Sequence, residues 1–84
     1  MQFLWTEPFR KDFRRLPDSI KQRVETALAR YISNPGHPSL GVKKLQGTDS
    51  IREMRITRNY RLTFERIRDA VLLRRIGTHD ILRK

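Results

Sequence analysis

The chain has 84 residues, enough for a single domain over 1–84, and at this size only about 60% of the unfolded chain's surface is buried on folding. It has no cysteine, which excludes disulfides and thiolate chemistry, and its two separated histidines match no familiar metal-ligand spacing; we expect no metal and no cofactor. The net charge of +10 predicts a polyanionic partner, either nucleic acid or an acidic protein.

The positive charge is uneven along the chain. Fourteen of the nineteen basic residues are arginines, which suit planar recognition of phosphate. The net charge is +3 over residues 1–42 and +7 over residues 43–84.

A membrane span needs about 18 consecutive apolar residues, and no apolar run in the sequence approaches that length. No signal peptide precedes the first predicted strand, so we expect a cytoplasmic protein with no membrane contact.

The N-terminal third predicts a strand and a helical hairpin. "QFLWT" alternates over residues 2–6 as a strand does, and Thr6 with Pro8 then marks a helix start. Pro17 ends this first helix, and Asp18 or Ser19 is expected to cap the second. The apolar positions recur at helical spacing and should be buried: Phe9, Phe13 and Leu16 in the first helix, and Ile20, Val24, Leu28, Tyr31 and Ile32 in the second.

The C-terminal half predicts three strands. A long connection over 35–50 separates them from the hairpin. "IREMRIT", "YRLTFERI" and "AVLLRRIG" then alternate and are joined by short turns. The order β-α-α-β-β-β predicts an α+β domain, in which the helical hairpin packs on one face of a small sheet with a C-terminal antiparallel meander.

Alternation along these strands predicts a basic sheet face. Leu62 and Phe64 should contact the helices, as should Met54 and Ile56, because successive side chains point to opposite faces. Arg55, Arg61 and Thr63 then lie on the open face. Arg75 shares parity with Gly77 and His79, although "LLRRI" leaves open which arginine faces the core. The loop with Lys43 and Lys44 is expected to form the rim.

Four segments in order resemble a known family. "KKLQG", "IREMRI", "NYRLTF" and "RRIGTHDIL" are similar to the successive motifs of RelE/ParE-type toxins of bacterial toxin–antitoxin systems, and the hairpin and first strand agree in length and order. The resemblance implies a compact RelE-like fold and an acidic antitoxin partner that covers the basic face. It also implies one of two activities: RelE, YoeB and YafQ cut messenger RNA, typically in the ribosomal A site, whereas ParE-like members poison DNA gyrase.

The resemblance also assigns roles to residues. "GTH" at 77–79 is similar to the end of YafQ, where the matching histidine is catalytic, so His79 is the implied proton-transfer residue. Arg61 matches the arginine of the "YR" signature that contacts the scissile phosphate in RelE-like nucleases. Arg55 lies where these enzymes carry a basic residue or a histidine. The expected RNA-contacting residues are basic and flank these three: Lys43, Lys44, Arg58 and Arg75.

The chemistry of RNA cleavage is compatible with these residue types. The 2′-OH of RNA can attack the adjacent phosphorus, so a protein needs a proton-transfer group and cations for the developing charge. The ordinary pKa of a histidine is about 6.5, so His79 can exchange protons near neutrality, as general acid or as general base. Arg55 and Arg61 stay charged and donate in a fork. His37, between "PG" and "PS", is expected to be an ordinary loop histidine.

Two departures from the family pattern keep alternatives open. The terminal segment "DILRK" lacks the aromatic residue that active members often carry, and "SLGVKK" offers no clear match for the glutamate that pairs with the histidine in YoeB-like enzymes. Glu53 is expected to be a counter-charge to a nearby arginine. We therefore predict a ribosome-dependent messenger RNA endonuclease, with a gyrase inhibitor or a non-cleaving RNA- or partner-binding domain as alternatives.

Overall fold

The computed structural model describes residues 2–78, and its sheet has five strands in the order β1-β5-β4-β3-β2. β1 is parallel to β5, and all other neighbouring strands are antiparallel. The expected α+β fold with a hairpin of helices and a C-terminal meander is confirmed. The elements are β1 (Gln2–Trp5), α1 (Glu7–Arg14), α2 (Asp18–Ser33), a 3₁₀ turn (Pro38–Leu40), β2 (Lys43–Lys44), β3 (Ile51–Arg55), β4 (Tyr60–Ile67) and β5 (Ala70–Thr78).

The long connection contains two elements that the sequence did not predict, the 3₁₀ turn and a short strand. Lys43 and Lys44 form the short edge strand β2, paired antiparallel with β3 opposite Glu53 and Arg52. Gly41 precedes this strand with φ +51°, in the left-handed region that favours glycine. The connection therefore turns back onto the sheet and does not form an open loop.

The helix starts differ from each other in their capping. The predicted start of α1 is confirmed, because the Thr6 hydroxyl accepts a hydrogen bond from the Phe9 N–H at 3.3 Å. The predicted cap of α2 by Asp18 or Ser19 is wrong. Pro17 occupies the cap position, with an extended backbone and no side-chain hydrogen bond. Proline lacks an N–H and fixes φ, so it suits this position between two helices.

The core lies between the helical hairpin and one face of the sheet. Phe9 of α1 and Phe64 of β4 are fully buried, and the Phe64 ring packs edge-on against Tyr31 of α2 with centroids 5.3 Å apart. Trp5 packs edge-on against Phe9, with centroids 5.0 Å apart. The prediction that Ile32 is buried is wrong, since its side chain is 51% exposed. The fully buried side chains are Phe9, Phe64, Leu40, Met54, Leu62, Leu73, Ile76, Val24 and Val71.

The strand faces follow the predicted alternation, with one irregularity. Met54, Leu62 and Phe64 are buried against the helices, as predicted. The pairing of β4 with β5 shifts between Thr63 and Phe64, so that Arg74 is skipped in the register.

Within the described residues, no helix is long and apolar enough to cross a membrane. The face opposite the helices, which carries Arg55 and Arg61, is called the open face below.

Candidate functional site

Two arginines are directly opposed at the centre of the basic region. The register of β3 and β4 places Arg55 opposite Arg61 on the open face, as the alternation predicted. Directly opposed like charges on adjacent strands destabilise a sheet. The pair therefore concentrates positive charge at one point without contributing to stability, which is typical of an anion-binding site.

Glu53 partly balances this charge. Its Oε1 atom lies 3.5 Å from Nε of Arg61 and 3.6 Å from Nζ of Lys43, so one carboxylate serves two cations. The Glu53 side chain is 14% exposed and that of Arg61 is 26% exposed. We call Lys43, Glu53, Arg55 and Arg61 the open-face site.

One guanidinium nitrogen of Arg61 remains unsatisfied. Nη1 is buried and has no hydrogen-bond partner in the part of the chain that the structure describes. A buried donor without an acceptor is unfavourable by about 1–3 kcal/mol. Because this atom has almost no accessible surface, an anionic ligand oxygen can accept a hydrogen bond from it only after the Arg61 side chain moves outward.

The other predicted RNA-contacting residues lie in different places. Lys43 joins the open-face site, whereas Lys44 points away from it and pairs with Asp49 at 3.9 Å. Arg58 is exposed on the turn between β3 and β4. Thr63 belongs to the open face by register but is only 5% exposed, so its hydroxyl offers little contact surface.

Arg75 is held by α1. Its Nε donates to Oδ2 of Asp12 at 2.6 Å and its Nη2 donates to Oδ1 at 3.2 Å. The hydrogen bond to Asp12 raises the pKa of Arg75, with a smaller contribution from the charge of Asp12 and an opposing one from burial. The structure therefore gives Arg75 a carboxylate partner and does not bring it to the Arg55–Arg61 pair.

His79, the predicted proton-transfer residue, lies outside the described residues. β5 is described as far as Thr78, and it pairs Gly77 with Arg61 and Thr78 with Tyr60. His37 fits its expected role in a loop, because its Nδ1 accepts a hydrogen bond from the Ser39 N–H at 3.1 Å. Within residues 2–78, no group of three or more potential ligands is placed to hold a metal ion.

A larger basic groove adjoins the open-face site. It has a volume of about 660 Å³ and lies between α2, the 3₁₀ turn and the turn between β3 and β4. A second, smaller cavity of about 310 Å³ on the open face is lined by Gly41, Val42, Lys43 and Glu53. Arg55 and Arg61 line both cavities. We call the larger one the arginine groove after the five arginines in its wall: Arg23, Arg30, Arg55, Arg58 and Arg61.

Sequence reasoning missed the residues that α2 contributes. Arg23 and Arg30 lie in the wall of the arginine groove with Ala27 between them. Their spacing of i, i+4 and i+7 places them on one side of the helix, and this was the available signal. Gly41 was also missed; a side chain there would lie 3.6 Å from Cβ of Arg55.

The fold is similar to that of known toxin structures. A chain of the RelB–RelE antitoxin–toxin complex from Methanococcus jannaschii is 22% identical, with 96% of this chain and 95% of that chain covered and a TM-score of 0.78. YafQ from E. coli strain BL21(DE3) is 17% identical, with 96% of each chain covered and a TM-score of 0.81. A YoeB/ParE toxin from Agrobacterium tumefaciens is 15% identical, with 94% and 99% covered and a TM-score of 0.78. The molecule thus has the RelE-like toxin fold.

The family follows from the sequence itself. The family model described as the ParE toxin of type II toxin–antitoxin system, parDE, matches residues 3–82. The match spans nearly the whole chain, so this protein belongs to that toxin family, which confirms the resemblance noted above. Among curated protein sequences, none is significantly similar to this chain.

Proposed function

We propose that this toxin inhibits translation by cutting messenger RNA in the ribosomal A site. The observation that supports the proposal is the opposed pair Arg55–Arg61 at the centre of the basic open face. A phosphodiester oxygen is an acceptor of the right charge, and a forked guanidinium binds phosphate well.

The reaction uses the nucleophile of the substrate. The 2′-oxygen forms a bond to phosphorus, the bond to the 5′-oxygen breaks, and one proton leaves the 2′-OH while another reaches the 5′-oxygen. Arg55 and Arg61 stabilise the extra negative charge of the phosphorane. His79 exchanges one of these protons, and DNA is not cut because it lacks the 2′-OH.

Primer extension on a translated messenger RNA tests this proposal. Wild type should give discrete cuts that depend on translation, and His79→Ala and Arg61→Ala should reduce them by about 10²–10⁴-fold. Arg66→Ala is the matched control, since Arg66 is an exposed arginine on the same strand as Arg61 and lines neither cavity. If growth stops without any cut, messenger RNA cleavage is not the activity. If His79→Ala still cuts the messenger RNA, the nuclease activity is supported but His79 has no catalytic role in it.

The role of His79 can be read from pH. A general base acts when neutral, so the cleavage rate would rise as pH increases through the histidine pKa; a general acid acts when protonated, so the rate would fall. Single-turnover rates over a pH series distinguish the two.

Inhibition of DNA gyrase is the second candidate. The match of residues 3–82 to the ParE family model favours it, because ParE-like toxins act on gyrase. This function needs neither a 2′-OH in the substrate nor His79. A supercoiling assay with purified gyrase would detect it, and His79→Ala would leave the inhibition unchanged.

We also propose an acidic antitoxin as the partner, bound across the open face. Beyond the basic site this face carries an apolar corner, where Leu4 is paired with Leu72 and Ile67 with Ala70; Leu4 and Ile67 are exposed. An acidic segment with apolar side chains would match both halves of the face. An acidic protein encoded beside the toxin gene should therefore copurify with the toxin, and Leu4→Asp should weaken the complex.

A further inference from the structure

The arginine groove is the strongest concentration of positive charge outside the open-face site. We propose that it binds the phosphodiester backbone of single-stranded RNA, and so holds the substrate next to the open-face site. The inference deepens the proposed function by assigning a second RNA-contacting surface, to which α2 contributes Arg23 and Arg30.

The groove has an excess of positive charge, which among the described residues only Glu53 partly balances, through Arg61. No Asp or Glu of the described chain lines it, although five arginines do. Several acids elsewhere lie beside cations, as Asp12 does beside Arg75 and Glu65 beside Arg74. Of the five groove arginines, only Arg61 has a carboxylate within 4.0 Å among the described residues. Bound anions would relieve the mutual repulsion of these guanidinium groups.

Part of the groove wall is held in place before any ligand binds. Nη1 of Arg30 donates to the Ser39 hydroxyl at 3.0 Å, and that hydroxyl lies 2.8 Å from Nδ1 of His37. These contacts join α2 to the 3₁₀ turn across one end of the groove. Arg30 thus loses less side-chain freedom on binding than an unconstrained surface arginine would.

The wall fits RNA better than it fits a protein segment. Its apolar residues, Ala27, Leu40 and Ile56, are already buried, so the accessible groups are guanidinium forks and the hydroxyls of Thr26, Ser39 and Thr57. Protein interfaces depend on large apolar and aromatic anchors that enter an apolar pocket, and the wall of this groove has no aromatic side chain and no large apolar side chain that is exposed. Arginine binds phosphate through its fork and stacks on unpaired bases through its plane, so it serves both parts of a nucleotide.

The groove and the open-face site form one continuous path. Arg55 and Arg61 line both cavities, so an RNA strand with its scissile phosphate at this pair can pass the turn at Arg58 and enter the groove. Ligand pockets typically have volumes of about 300–1,000 Å³. The groove, at about 660 Å³, is within this range and has room for more than one phosphate. Arg23, Arg30 and Arg58 then bind phosphates beside the scissile one. They are positioning residues, which affect binding more than the chemical step.

A binding titration with two charge-matched variants tests the inference. Arg23→Gln/Arg30→Gln removes two groove arginines, whereas Arg15→Gln/Arg66→Gln removes two exposed arginines that line neither cavity. Glutamine keeps a high helix propensity at positions 23 and 30. Fluorescence anisotropy with labelled single-stranded RNA over a salt series gives the affinity and its salt dependence. Arg58→Gln, on the turn, is a second groove variant that does not alter a helix.

The expected result is a selective loss in the groove variants. Each lost phosphate contact lowers the slope of log K against log[salt] by about 0.7 for a single strand, so Arg23→Gln/Arg30→Gln should lose about 1.4 and bind about tenfold more weakly at low salt. The control pair should lose much less. Equal losses in both pairs would overturn the inference, because net charge alone would then explain binding. Binding of polyglutamate, and not of RNA, through Arg23 and Arg30 would also overturn it.

The same variants separate this inference from the proposed function. If wild type cuts RNA, the groove variant should raise KM about tenfold with kcat nearly unchanged, as expected for lost uniform binding. If wild type binds RNA through the groove but cuts nothing, the nuclease proposal fails and the groove assignment stands. If wild type cuts RNA and the groove variant binds as wild type does, the groove assignment fails alone.

Discussion

Asp12 of α1 and Arg75 of β5 form a bidentate ion pair across 63 positions of sequence, with Oδ2 2.6 Å from Nε and Oδ1 3.2 Å from Nη2. Oδ2 also accepts the backbone N–H of Ile76 at 3.2 Å. β1 pairs with β5 only as far as Leu73, so beyond that residue this edge of β5 has no strand partner within residues 2–78. The Asp12 carboxylate therefore satisfies a backbone donor where the neighbouring strand has ended.

The first prediction separates the two functions of Asp12. Asp12→Asn keeps an acceptor for the Ile76 N–H but loses the charge, and should lower the free energy of unfolding by about 0.5–1 kcal/mol, since Arg75 is partly exposed. Asp12→Ala loses both and should lower it by about 2 kcal/mol. Urea denaturation measures the difference. Glu7→Gln is the control, because the Glu7–Arg14 pair at 3.8 Å is exposed on both sides and should contribute little.

The Arg75 side of this pair should add no pH dependence near neutrality. The hydrogen bond to Asp12 raises the pKa of Arg75 above its already high ordinary value. A raised pKa in the folded state gives stability that is present below the unfolded pKa and is lost as pH rises through the folded pKa. The pKa of Arg75 is far above neutral pH in both the folded and the unfolded state. Arg75→Gln should therefore change the free energy of unfolding by the same amount at about pH 6 and at about pH 8.

The second prediction concerns Gly41, which holds the chain next to Arg55. Its φ of +51° is a conformation that is unfavourable for an L-residue by about 1–2 kcal/mol, so Gly41→Ala should lower the free energy of unfolding by that amount. Gly47→Ala shares the positive φ, at +86°, but has nothing within 4 Å of the added carbon. If Gly41→Ala weakens RNA binding and Gly47→Ala does not, the contact with Arg55 is needed for binding. If both variants weaken binding equally, backbone strain alone is responsible.

The third prediction concerns Glu53. Its carboxylate lies beside both Lys43 and Arg61, so it competes with a phosphate for these cations. Glu53→Gln should raise the affinity for single-stranded RNA a few-fold and steepen its salt dependence. Cleavage should persist, because Glu53 is a counter-charge in this interpretation. Loss of cleavage by about 10²-fold or more, with RNA binding retained, would instead make Glu53 a general base.

The faces of the strands could be predicted from sequence because side chains alternate with a strict period of two. Arg55, Arg61, Met54 and Leu62 lie where this rule places them. β2 could not be predicted, because a strand of two lysines is too short to show an alternating pattern. The helical stripe was right except at Ile32, which follows Tyr31 by one position and so lies about a quarter turn away from the buried side.

The candidate site was only partly predictable, because the pairing of charges depends on packing. "LLRRI" left open which arginine faces the core, and the structure shows why: the register skips Arg74, so both arginines are exposed. The partner of Arg75 depends on how α1 packs along β5, which no local pattern encodes. The contribution of α2 to the arginine groove could not be predicted for the same reason, since tertiary packing alone brings Arg23 and Arg55 to the wall of one groove.

The last prediction separates stability from function at Arg61. Arg61→Lys keeps the positive charge beside Glu53 but removes the buried Nη1, which has no acceptor among residues 2–78. The free energy of unfolding should therefore stay the same or rise by up to about 1 kcal/mol, because an unsatisfied buried donor is lost.

RNA cleavage by Arg61→Lys should move in the opposite direction. An ammonium group cannot donate to two phosphate oxygens as a guanidinium fork does, and loss of one donor to developing charge typically slows a reaction by about 10²–10³-fold. Urea denaturation and single-turnover cleavage of the same preparation measure both effects, with Arg66→Lys as the exposed control on the same strand. A variant that is stabilised and slow would show that the unsatisfied nitrogen is retained for an anion. A variant that is destabilised yet cleaves normally would show that Arg61 is a structural residue.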